Sequence, residues 1–287
     1  MKLNKEVFRE YDIRGTVGTD LNDEFAHLLG CAFGELAAES GINEIGIGYD
    51  CRLTSLDYAR ALSNGINSRG INTVLYGMGP TPQLYFAVYK DNLGGGIQVT
   101  GSHNPADMNG FKLLLGKRTL SGADIKDLFV RMTRLAGAGL AATGLPAIGS
   151  AGGKSEEREV RQRYIDDLVK NGSGYVKRKL KLVVDAGNGV GGLVGPEVLR
   201  RLGHEVIEIY CEPDGRLPNH HPDPTVMKNI VDLIAAVREH KADLGVGWDG
   251  DADRIGAVDE HGEVIFGDML LLLYGREILK TESAPTI

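Results

Sequence analysis

Along the chain, stretches in which apolar residues alternate with polar or small ones give way to stretches with apolar positions three or four apart. These are the periods of strand and helix. EIGIGY (44–49) predicts a strand. Thr54, with Asp57 three positions on, predicts a helix start of the capping-box kind. NTVLYG (72–77) predicts the next strand, Pro80 and Pro82 open a second helix, and GGIQVT (95–100) predicts a third strand. The loop GSHNPADMNG, a fourth strand at FKLLL (111–115) and a helix from Ser121 with Asp124 in its first turn complete a unit.

The succession then repeats. KLVVD (181–185), the loop AGNGVGG, a helix to Arg201, HEVIEIY (204–210), a helix capped by Thr225 running to about His240, DLGVG (243–247), the loop WDGDADR and IGAVD (255–259) follow in the same order. In each run an unusual polar loop lies between the third and fourth strands. Alternation of strand and helix implies right-handed crossovers and a mainly parallel sheet covered on both faces. The expected fold class is therefore α/β, with two successive three-layer α/β/α units, mainly parallel mixed sheets and the start of a third unit. The expected domains are 1–150, 151–262 and 263–287. Residues 136–154, almost uncharged and rich in Gly, Ala and Ser, are expected to link the first two. Ser155, followed by Glu156 and Glu157, is expected to cap a helix. EVIF, a helix over about 267–280 and SAPTI at 283–287 are expected to open the third unit.

Composition narrows the function. At 42% hydrophobic and 25% charged residues, the 287-residue chain is ordinary for a globular protein. Its 40 glycines are about twice the usual share and cluster at strand ends, where backbone can approach a ligand. A net charge of −7 argues against nucleic acid or an anionic membrane as the main partner. Cys31, Cys51 and Cys211 form no zinc spacing and read as reduced thiols. The N-terminus has no apolar h-region, and no apolar run is long enough to span a bilayer, so a cytoplasmic location is expected.

Two loops concentrate the chemistry. In DGDADR, Asp249, Asp251 and Asp253 alternate with small residues, which in an extended backbone puts three carboxylates on one side. Such donors suit Mg²⁺, Mn²⁺ or Ca²⁺. An EF-hand is excluded because Arg254 stands where its invariant glycine belongs. A solvated acidic turn is the plain alternative. In TGSHNP, Ser102 presents a hydroxyl that needs a base or a metal to act as a nucleophile. No GxSxG elbow is present, and His103 is not expected to reach the oxygen of its neighbour. Local turn roles for Ser102 and Asn104 are the alternative. His220 and His221, in a loop pinned by Pro218, Pro222 and Pro224, are expected to be structural.

REYDIRG (9–15), TGSHNPADMNGFK (100–112), DGRLPNHHPDP (214–224) and DGDADR (249–254), four separated motifs in this order, resemble the α-D-phosphohexomutase family, with bacterial phosphomannomutase/phosphoglucomutases as the nearest subgroup. The resemblance implies that Ser102 is carried as a phosphoserine. It also implies that Ser102, Asp249, Asp251 and Asp253 hold one Mg²⁺. Lys112 and Arg14 resemble residues that assist proton transfer and stabilise charge, and His103 occupies a motif position beside them. Arg254, Tyr11 and Asn104 resemble residues that bind phosphate or substrate.

The implied reaction moves a phosphoryl group between the 1- and 6-positions of a hexose phosphate through a bisphosphate. Glucose or mannose 1,6-bisphosphate is the implied activator and a phosphorylated hexose the partner. The family's sugar-recognition and phosphate-anchoring loops lie in its third and fourth domains. A chain carrying only the first part is expected to turn over poorly or not at all, and its glucose or mannose preference and oligomeric state are left open. Two other readings stand beside this one: a metal-assisted serine phosphatase or phosphotransferase, and a non-catalytic module binding Mg²⁺ or a phosphosugar.

Overall fold

The computed structural model describes residues 2–138 and 152–281. The chain opens with two elements that periodicity did not single out, β1 (Ile13–Thr16) and α1 (Asp23–Glu39). Helix α1 has no clear polar stripe, because Phe25, Leu28, Leu29, Ala32 and Phe33 bury one face while Ala26, Gly30, Cys31, Gly34 and Ala37 bury much of the rest. Then follow β2 (Glu44–Tyr49), α2 (Ser55–Asn67), β3 (Asn72–Met78), α3 (Thr81–Lys90), β4 (Gly95–Val99), β5 (Met108–Leu115), β6 (Arg118–Thr119), α4 (Ala123–Ala138) and β7 (Ser155–Glu157). The sheet order is β1-β5-β4-β2-β3-β7, with β6 on β5. Strands β4, β2, β3 and β7 run parallel, and β5 is antiparallel to both β4 and β1.

The sequence EIGIGY shows how this sheet is covered on both faces. Ile45 and Ile47 enter the core shared with α1 and α2. A Cβ on Gly46 would touch Leu93, Tyr76 and Leu84, which belong to a second cluster around α3. Period 2 thus sends large side chains to one helical layer and leaves room for the other to approach. Each fully buried isoleucine contributes about 1.5–3 kcal/mol.

The second unit contains α5 (Arg161–Gly172), β8 (Lys181–Asp185), α6 (Gly195–Arg201), β9 (Glu205–Ile209), α7 (Val231–His240), β10 (Leu244–Trp248), β11 (Ile255–Asp259), β12 (Val264–Ile265) and α8 (Gly267–Thr281). Its sheet order is β12-β11-β10-β8-β9. Here β10, β8 and β9 are parallel and β11 is antiparallel to β10. The order β5-β4-β2-β3 in the first sheet and β11-β10-β8-β9 in the second is the same winding, so the repeat read from the sequence is a repeat of topology.

Four local expectations change. Ser155 does not cap a helix: residues Ser155–Glu157 pair in parallel with Thr73–Leu75 on the open edge of β3. The edge holds the segment, with the Thr73 amide donating to the Lys154 carbonyl at 2.8 Å and the Arg158 amide to the Leu75 carbonyl at 3.0 Å, and the helix starts only at Arg161. Thr54 makes no side-chain cap on α2; its hydroxyl instead accepts from Asn109 Nδ2 at 3.0 Å. Thr225 is bound in a turn by Asp223 Oδ1, and α7 begins at Val231. Val264 and Ile265 pair with β11 and so extend the second sheet. Helix α4 reaches Ala138, so only residues 139–151 of the expected linker lie outside the described residues, as does the expected strand at 283–287.

Candidate active site

Both unusual loops leave the carboxyl end of a parallel strand, β4 and β10, where ligands gather in such folds. They meet. Ser102 is 1% exposed, and its Oγ donates to Asp249 Oδ2 at 2.9 Å. A Cβ on Gly250 would lie 2.5 Å from the Ser102 carbonyl oxygen, so only glycine lets the loops approach this closely.

The serine loop is held from beneath. Ser102 sits in the left-handed region at φ 49°, a conformation that costs a non-glycine residue energy unless its surroundings enforce it. Thr100 Oγ1 accepts the Ser102 amide at 2.8 Å and donates to Asp50 Oδ2 at 2.7 Å. The Arg52 guanidinium donates to four carbonyl oxygens of the loop, those of Ser102, Asn104, Pro105 and Met108. Its Nε lies 3.3 Å from Asp50 Oδ2, and both side chains are buried. Neither Asp50 nor Arg52 was singled out from the sequence. The available signal was their place in YDCRLTS, at the carboxyl end of β2.

In the acidic loop the three carboxylates converge, although the backbone is not extended: Ala252 is left-handed at φ 56°. One oxygen from each of Asp249, Asp251 and Asp253 can lie within 4.8 Å of the others. Asp249 Oδ1 accepts the amides of Asp253 and Arg254, each at 3.0 Å. Asp251 Oδ2 accepts from Lys112 Nζ at 2.6 Å and from the Thr81 hydroxyl. Lys112 also bonds Asp253. Asp251 Oδ1 is buried with no hydrogen-bond partner.

Electrostatics separate these groups. Burial, reinforced by the charges of Asp251 and Asp253, pushes Asp249 up to about 7. For Asp251, burial works upward, but the Lys112 charge and hydrogen bond outweigh it and hold the carboxyl below the usual range. Burial works against the Lys112 ammonium, and the two carboxylates more than reverse this, so Lys112 is a firmly held cation. Three converging carboxylates, two of them buried, and an orphaned buried oxygen fit a hard divalent cation.

The other expected residues are partly assembled. Strand β1 pairs Arg14 with Gly110, and Arg14 Nη1 donates to Asn104 Oδ1 at 3.0 Å while its Nε bonds Asp12 at 2.6 Å. His103 Nδ1 lies 3.2 Å from Ser102 Oγ, contrary to the expectation that a sequence neighbour could not reach it. The left-handed turn at Ser102 folds the two side chains back toward one another. Burial, with the positive charges of Arg254 and Arg14, lowers the His103 pKa and favours the neutral ring. Arg254 is exposed, and its amide holds Asp249. Tyr11 is 69% exposed, and no hydrogen bond ties it to the loop. His220 is bound to both oxygens of Asp185 at 3.1 and 3.0 Å, in keeping with a structural role.

Residues 5–144 match the family model described as phosphoglucomutase/phosphomannomutase, alpha/beta/alpha domain I, and residues 162–262 match its alpha/beta/alpha domain II. The chain is 41% identical to a phosphoglucomutase of Neisseria meningitidis serogroup B, over 96% of its own length and 58% of the relative's. It is 40% identical to a phosphomannomutase/phosphoglucomutase of Pseudomonas putida, over 99% of its length and 59% of the relative's. A crystal structure of a phosphoglucomutase/phosphomannomutase family protein from Burkholderia thailandensis superposes with a TM-score of 0.87 at 35% identity, covering 97% of this chain and 60% of that one. The chain thus spans somewhat less than three-fifths of the length of these curated relatives.

Proposed function

The chain belongs to the phosphoglucomutase/phosphomannomutase family, and on that premise we propose that it carries the phosphoryl-transfer half of a hexose-phosphate mutase, with Ser102 as phosphate carrier. The observation that carries this reading is the 2.9 Å contact of Ser102 Oγ with Asp249 Oδ2, beside the carboxylates of Asp251 and Asp253. The expected bounds 1–150, 151–262 and 263–287 shift with the sheets: the carrier domain would run to β7 (Ser155–Glu157), the acidic-loop domain from α5 to β12 (Val264–Ile265), and α8 would be the entry to a third. The substrate is a phosphorylated hexose, and a hexose 1,6-bisphosphate is the activator.

Phosphoryl transfer depends on positioning and charge neutralisation. A divalent cation, Mg²⁺ in this reading, would be held by Asp249, Asp251, Asp253 and the Ser102 oxygen, and would supply withdrawal of charge from the phosphoryl group. The Asp50–Arg52 pair presents Ser102 Oγ in one orientation. In one half-reaction the P–Oγ bond breaks as a P–O bond to the sugar hydroxyl oxygen forms, and the proton that the hydroxyl gives up ends on Oγ, relayed by His103 Nδ1. In the return half-reaction Oγ takes the other phosphoryl group, and its proton passes back by way of His103 Nδ1 to the sugar oxygen that is released. Lys112 and Arg14 contribute fixed positive charge.

Intact-mass spectrometry of the 287-residue chain, incubated with glucose 1,6-bisphosphate and Mg²⁺, tests the reading. One added phosphate, absent in Ser102→Ala, is expected. Phosphate that remains in Ser102→Ala would sink the assignment. A coupled assay with glucose 1-phosphate and mannose 1-phosphate then separates mutase from phosphatase: steady release of inorganic phosphate would favour the latter.

A further inference from the structure

We infer that Thr81, on the first unit, is a positioning residue for the cation site on the second. The inference rests on the cation reading above. Thr81 is wholly buried and is the first residue of α3. Its amide donates to the Asp251 carbonyl at 3.0 Å, and its hydroxyl donates to Asp251 Oδ2, across 170 residues of chain. A first-turn helix amide has no partner within its own helix, so this one is available to fix the acidic loop from outside. Backbone and side chain of Asp251 are thereby held by one residue.

Two donors share Asp251 Oδ2, and they differ in what a cation does to them. Lys112 is itself positive and competes with a divalent ion for Asp251 and Asp253. The Thr81 hydroxyl is neutral and stays compatible with an ion at the carboxylates. It therefore keeps Oδ2 occupied and the carboxylate from rotating, so that the unpartnered Oδ1 is the oxygen left for the ion. A hydrogen bond of this kind sets ligand orientation, and deleting one typically weakens metal affinity by about 10- to 100-fold. Cation affinity would then depend on how α3 is seated against the acidic loop, which couples the two units.

Mn²⁺ titration of the 287-residue chain, with free Mn²⁺ read by electron paramagnetic resonance, tests this without needing turnover. Wild type, Thr81→Val, Thr81→Ser and Asp251→Asn are compared, with Thr81→Ala as a second hydroxyl deletion. Unfolding midpoints in EDTA are measured alongside. The expected result is Mn²⁺ affinity about 10- to 100-fold weaker in Thr81→Val and Thr81→Ala. Affinity should be close to wild type in Thr81→Ser, which keeps the hydroxyl. Wild-type affinity in both deletions overturns the inference, as does a Thr81→Ser variant as weak as Thr81→Val, since packing would then be the cause. Absence of Mn²⁺ binding in wild type, or equal binding in Asp251→Asn, instead overturns the cation reading and the inference with it.

Discussion

Ser102 and Asp249, 147 residues apart, are joined by a 2.9 Å hydrogen bond that brings the loop after β4 onto the loop after β10. Each loop belongs to a different sheet, so the contact exists only because the two repeated units face one another. Its chemistry is asymmetric. Ser102 is pinned by a network beneath it, whereas Asp249 sits among carboxylates that repel it.

That repulsion has a measurable sign. Asp249 has a folded pKa of about 7, above the usual carboxylate value. Such a group contributes most stability below its unfolded pKa of about 3.9, and the contribution is lost as pH rises toward its folded value. Above that window its charge destabilises the metal-free fold. Asp249→Asn should therefore raise the unfolding midpoint in EDTA at neutral pH while abolishing the rise that Mg²⁺ produces in wild type. A lower metal-free midpoint in the variant would contradict this account.

Arg52 holds four carbonyls of the serine loop and neutralises Asp50, and both side chains are buried. Breaking a buried pair by removing one partner typically costs about 3–5 kcal/mol. Arg52→Gln should lower the urea midpoint accordingly and reduce phosphate loading of Ser102. A loss under about 1 kcal/mol, the worth of a single ordinary hydrogen bond, would mean that the loop is held by something else.

Gly250 is where the two loops touch, and an added Cβ would lie 2.5 Å from the Ser102 carbonyl oxygen. Gly250→Ala should separate the loops at a cost of about 1–3 kcal/mol, leaving the far-ultraviolet circular dichroism unchanged. Mn²⁺ affinity and phosphate loading should both fall. Retention of both at wild-type levels would show that the close approach is not required.

His220 offers a pH test away from the cation site. Burial alone would lower its pKa, but the hydrogen bond to Asp185, the His221 carbonyl and the carboxylate charges of Asp185 and Asp232 raise it overall. A raised histidine contributes stability that is fully present below its unfolded pKa of about 6.5 and is lost as pH rises through the folded value. Thermal midpoints of wild type should therefore fall between mildly acidic and mildly alkaline pH by more than those of His220→Gln. Parallel pH profiles would dismiss the pair as a source of stability.

Much of this architecture was legible in the residues. The alternation in EIGIGY and KLVVD marked strands because a two-residue period leaves its trace within a few positions. Two polar loops at matching places in two similar runs marked the candidate site, and the four motifs marked the family. Helix α1 was hidden because a helix buried nearly all round shows little periodic contrast. Strand β7 was hidden because three exposed residues, Ser155, Glu156 and Glu157, carry no apolar pattern and are ordered by a neighbouring backbone edge.

Local sequence therefore determined the candidate side chains and the strand ends that present them. Only the tertiary structure decided which groups position them. Asp50, Arg52 and Thr81 hydrogen-bond to residues 50 to 170 positions away. His103 reaches Ser102 because of a left-handed turn that no residue preference announces. Such contacts depend on how two sheets and their loops are seated against each other, and that is set by the packing of the whole chain.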